Sequence, residues 1–109
     1  MRTTQMQSCV HENGTVECRL VYVELPEPGP DDVVVEIEAA PINPSDLGLM
    51  FGAADLSTVR ATERDGQPAV LLDVPNAAMR AMAPRVGHWM AAGNEGSGRV
   101  IAAGESDAA

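Results

Sequence analysis

The chain has 109 residues, room for one domain with a thin core, because about two-thirds of the unfolded surface can be buried at this size. Seven basic residues, all arginine, stand against 16 acidic ones for a net charge of −9, which excludes a phosphate-backbone or anionic-lipid footprint; with no lysine, a Schiff base and a P-loop are excluded too. Valine, leucine, isoleucine and phenylalanine number only 23, while alanine alone numbers 16, so the chain is expected to lean on a partner.

No apolar stretch approaches the length of a membrane span, and Met1–Val10 is too polar for a secretory signal, so a cytoplasmic location is expected. Two cysteines are too few for a disulfide scaffold. Residues 5–24 read as a hairpin: Val16, Cys18, Leu20 and Tyr22 alternate with period two, and Asn13-Gly14 is a strong two-residue turn signal. With Asn13-Gly14 as the loop, cross-strand partners sum to 27, which sets His11 opposite Val16, Val10 opposite Glu17 and Cys9 opposite Cys18. That register leaves three readings open: a packed pair of thiols, a cross-strand disulfide, or a zinc site shared with His11.

Leu25–Asp32 carries three prolines in five positions and is a rigid connector. Val33–Ala40 follows as a strand, with Val35, Ile37 and Ala39 on one face and Val34, Glu36 and Glu38 on a wet one. Asn43 is a good helix N-cap, Pro44 suits the first helical position, and Asp46 complements the dipole; Leu47, Met50 and Phe51 share a face before Gly52 ends the helix. Residues 53–92 are alanine-rich. They predict a short helix near Asp55–Arg60, a loop over Thr62–Gly66, an extended stretch at Ala69–Val74 and a helix over Pro75–Ala83 stopped by Pro84. Met79, Met82 and Val86 make a stripe of core filler, and His88 sits in a loop. Gly93–Gly98 has neither the spacing nor the strand-before-helix order of a dinucleotide cradle; its glycines signal a tight turn in close approach to a neighbour, ahead of a strand at Arg99–Ala103.

Three segments in this order, Pro26–Val35, Ile42-Asn43-Pro44-Ser45-Asp46 and Gly93-Asn94-Glu95-Gly96-Ser97-Gly98-Arg99-Val100, form one pattern. It resembles the N-terminal, GroES-like catalytic domain of the medium-chain dehydrogenase/reductase superfamily, in its quinone oxidoreductase-like branch. The resemblance implies a mainly β fold with short helices, a GroES-like, partly open and incomplete β-barrel over residues 1–109 with an alanine-rich insertion at about 53–92. It implies that Asn43, Ser45 and Asp46 line the catalytic cleft, with Asn43 also on the nicotinamide side of the cofactor. Zinc-dependent relatives carry a cysteine near Ile42-Asn43 and a His-Glu pair in the glycine turn. Here Asn94 stands at the histidine position, so no zinc is expected. Enoyl-thioester reductases of the family place a tyrosine acid near Gly52–Asp55, and this chain has none there. The family's Rossmann domain, which holds NADPH or NADH, is not among these residues, and the chain reads as truncated. The expected activity is therefore that of the substrate-side part of a zinc-independent NAD(P)H-dependent oxidoreductase acting on a small-molecule quinone or enone. Alone it is expected to be inactive and to bind no cofactor, nucleic acid or membrane. The alternative is a non-catalytic assembly module that forms a homo-oligomer or pairs with another chain.

Overall fold

A computed structural model describes all residues from Met1 to Ala109. β1 (Arg2–Val10) and β2 (Thr15–Glu24) form the hairpin, followed by β3 (Val33–Ala39) and α1 (Pro44–Phe51). Then come β4 (Asp55–Arg64), β5 (Gln67–Asp73), α2 (Asn76–Met79), a 3-10 turn at Ala83–Arg85, β6 (Met90–Ala91) and β7 (Ser97–Ala103). Five strands make an antiparallel sheet in the order β4-β5-β2-β1-β6, and β3 pairs with β7 in a separate two-stranded ribbon. The protein is mainly β with short helices. Its two sheets stay open and form no closed barrel, within an envelope of 52 × 28 × 23 Å.

The first hairpin is shifted by one residue from the predicted register. Val10 faces Val16, Cys9 faces Glu17 and Ser8 faces Cys18, so partners sum to 26. The cause lies in the turn. A two-residue type I′ loop needs positive φ at both positions, but only Gly14 adopts it (φ +85°). Asn13 keeps negative φ and turns its side-chain oxygen to the Thr15 amide (3.2 Å) and hydroxyl (2.7 Å). The Gly14 amide donates to the His11 carbonyl and the His11 amide to the Thr15 carbonyl, giving a three-residue loop. Successive side chains alternate faces, so this slip sends Cys9 and Cys18 to opposite sides of the sheet. Both are free and buried, and the disulfide and the shared zinc site lose their geometry together.

Residues 53–92 contribute β4, β5 and β6 to the main sheet. The segment read as a helix near Asp55–Arg60 is β4, paired with β5 through a two-residue turn at Asp65-Gly66. Both residues have positive φ (+53° and +78°), the type I′ geometry that Asn13-Gly14 lacks. The extended stretch at Ala69–Val74 is β5. The helix over Pro75–Ala83 shrinks to Asn76–Met79, with Pro84 inside the 3-10 turn. Val10, Val16, Cys18, Val74 and Met82 form the core, flanked by Met50, Phe51, Met79 and Val86. The methionine stripe fills that core as expected.

α1 is held against the sheet by its last turn, whose four carbonyls would otherwise lack donors. Gly48 accepts from the Gly52 amide and Arg85, Leu49 from Arg85, Met50 from Ser8 Oγ (2.7 Å) and Cys18 Sγ (3.1 Å), and Phe51 from the Ala54 amide. Arg85 also supplies the positive charge that the C-terminal end of a helix dipole favours, since α1 has no base of its own there. This clamp sets the direction in which the N-terminus of α1 points.

Candidate functional site

At the other end of α1, Asn43 is the N-cap, Pro44 occupies the first turn, and the Asp46 carboxylate accepts the Asn43 amide proton (2.8 Å). That part of the sequence reading is matched residue for residue. The Asn43 side-chain amide donates to the Glu95 carboxylate, in the glycine turn 52 residues away. Backbone contacts on both sides hold that turn in place. The Ala92 amide donates to the Met6 carbonyl (2.9 Å), and beyond it Gly98 lies so close to β3 that an added Cβ would sit 1.9 Å from the Glu36 carbonyl oxygen.

Below this junction lies a cavity of about 430 Å³, walled by Met6 from β1, by Ile42, and by Leu47, Met50 and Phe51 from α1. Asp46, only 8% exposed, is the one ionisable side chain in its wall. A second depression of about 380 Å³ adjoins it across Pro41 and is lined by Glu95, Gly96 and Ser97. Asn43 and Ser45 line neither hollow. Asn43 is half-buried between them, and the Ser45 side chain is exposed without a hydrogen-bond partner. The structure therefore brings together Asn43, Asp46 and Glu95 and leaves Ser45 at the rim.

The opposite face of the main sheet carries a polar cluster that the shifted register creates. Glu17, 4% exposed, accepts from His11 Nε2 (2.8 Å) and from Arg64 Nε and Nη2. Trp89 packs edge-on to His11 and lies beneath Arg19, whose guanidinium is 3.6 Å from the ring centroid. The Arg64 hydrogen bonds hold the Glu17 carboxyl below its usual range, with a smaller lowering contribution from His11. Cys9 Sγ lies 4.0 Å from His11 Nδ1, so Cys9, His11 and Glu17 stand in the order of a nucleophile, base and orienting acid. Cys9 is 2% exposed, however, and burial pushes its thiol pKa up, away from the reactive thiolate. This is a structural ion cluster. Sequence reading missed it because the slip of one residue in β1/β2 decides which side chains share that face.

No protein-family model matches the chain, and no curated protein matches it significantly. No helix is long and apolar enough to cross a membrane.

Proposed function

We propose that the chain is the substrate-side domain, GroES-like in kind, of a zinc-independent NAD(P)H-dependent quinone or enone oxidoreductase. One observation carries this reading. Two of the three motif segments on which the resemblance rests, 52 residues apart in sequence, meet through the Asn43–Glu95 hydrogen bond, with an apolar cavity lined by Ile42 and Asp46 on one side and the hollow lined by Glu95 on the other. An apolar pocket with a few convergent polar groups suits a small ring carbonyl compound. Asn43, with a second amide N–H beyond the one given to Glu95, and the free Ser45 hydroxyl flank the cavity-lining Ile42 and Asp46 in the chain, and donors of this kind polarise a carbonyl oxygen as charge develops on it. The residues present do not fit a dinucleotide. Both hollows are acid-lined, no basic side chain lines either, and no glycine-rich turn leads from a strand into a helix. The hydride donor is thus assigned to a nucleotide-binding unit outside these 109 residues, and the assembled enzyme is placed in the cytoplasm.

The test is an amide-resolved NMR titration of the chain with 4-phenylbut-3-en-2-one, a neutral enone. Saturable shifts centred on Leu47, Met50 and Phe51 are expected, weakened severalfold in Asn43→Ala. Absence of saturable shifts at those residues would sink the reading.

A second reading, the assembly module, draws on the β3/β7 ribbon. Val33, Val35, Ile37, Val100 and Ile101 are all at least 40% exposed, and the ribbon is bonded to no third strand. Open edges of this kind favour pairing with another chain. Sedimentation velocity is expected to show self-association that rises with concentration and is abolished by Ile37→Glu. A monomer up to several hundred micromolar would dispose of this reading.

A further inference from the structure

We infer that the α1 cavity selects its ligand by charge, admitting uncharged carbonyl compounds and rejecting those that carry a carboxylate, a sulfonate or a phosphate; this rests on the reading above and narrows its substrate class. The reason is where the charges of the whole chain lie. Asp46 lines the cavity and Glu95 the adjoining hollow, and neither is ion-paired. The positive end of the α1 dipole, which would otherwise attract an anion, is already met by the Asp46 carboxylate at the third helical position.

The arginines are placed elsewhere. Arg60, Arg64 and Arg99 pair with Asp73, Glu17 and Glu36, while Arg2 and Arg19 lie over Tyr22 and Trp89. Arg85 is committed to the carbonyls at the far end of α1, and Arg80 lines neither hollow. An anionic ligand would thus enter against two carboxylates that hold hydrogen bonds but no paired cation, and would gain no counter-charge on arrival. The apolar walls of Met6, Ile42, Leu47, Met50 and Phe51 have no such objection to a neutral ring. Thioesters of phosphate-bearing carriers fall among the rejected ligands, as do carboxylated enones.

The probes are 4-(4-carboxyphenyl)but-3-en-2-one and its methyl ester, which share the enone and the ring and differ in charge. Both are titrated into the chain with the Leu47, Met50 and Phe51 amides as reporters. Two like charges about 7 Å from a third, at a dielectric between that of a protein surface and water, correspond to a loss of about tenfold in affinity. The ester is expected to bind at least that much more tightly than the carboxylate. Glu95→Gln should narrow the ratio severalfold, as should raising the salt from about 0.05 M to about 0.5 M. Equal binding of the two probes, or tighter binding of the carboxylate, overturns the charge selection while leaving the enone site standing. If neither probe shifts those amides, the enone reading itself fails and the inference with it.

Discussion

Leu72→Ala is expected to cost about 3–4 kcal/mol of folding free energy, read as a lower urea midpoint with an unchanged slope. Leu72 has no exposed surface and sits opposite Val16, one pair in from the end of the β2/β5 ladder. Removing its isobutyl group forfeits the transfer energy of the buried carbons. It also leaves a cavity that flanking strands, tied into their ladders, close only in part. In a chain of this length the total is on the order of 5–15 kcal/mol, so the variant spends a large share of it. Only eight apolar side chains are buried, and few neighbours can shift to compensate. Val59→Ala, on the exposed part of β4, is the control and should change stability by under about 0.5 kcal/mol. A loss below about 1 kcal/mol for Leu72→Ala would mean that the Val16–Leu72 pair is not packed as described.

Glu17→Ala is the other large effect, expected at about 2–4 kcal/mol. Truncation strips a buried acceptor from Arg64 and His11 and leaves their charge and donors facing the gap. Arg64 is 40% exposed and can turn to water, which keeps the cost below that of a fully enclosed pair. Glu17→Gln retains the shape and loses the charge, for about 1–2 kcal/mol. The two variants differ further in their response to acid. The folded-state pKa of Glu17 is lowered, chiefly by Arg64, from an ordinary value of 4.5. Its contribution is therefore complete above that ordinary value and is lost as pH falls through the lowered one. The stability gap between wild type and Glu17→Gln should stay level from neutral pH down to about 5 and then close progressively with further acidification. A gap that persists unchanged well below the carboxylate range would show that charge at Glu17 contributes nothing. Trp89 fluorescence should follow the same transition, because the ring covers the arginines of this cluster.

The elements that local chemistry specifies were readable in advance. Asn43, Pro44, Asp46 and Gly52 bound α1 because capping and φ preferences act over a few residues. Val33–Ala39 forms the expected strand, but its predicted dry face is exposed at Val35 and Ile37, and Val34 of the predicted wet face is its one half-buried residue, because only β7 pairs with it and no second layer covers it. The two turns show the limit. Asn13-Gly14 and Asp65-Gly66 carry the same type of signal, yet only the second makes a two-residue turn. At the first, the Asn13 side chain finds Thr15 as a partner and keeps the backbone out of the left-handed region. The helix expected near Asp55–Arg60 has weak helix formers at Ser57, Thr58 and Val59, and pairing with β5 at Arg60–Arg64 carries the strand through.

From the amino acids alone came the β-rich class, the acidic balance without lysine, the boundaries of α1 and the tight glycine turn ahead of β7. Only the tertiary structure decided that Cys9 and Cys18 part to opposite faces, that Glu17 gathers His11 and Arg64, and that Asp46 and Glu95 guard a cavity with no arginine in its walls. The division is physical. Caps and strand alternation depend on neighbours a few bonds away, whereas register and the meeting of distant side chains depend on which pairing of strands buries the most apolar surface at once.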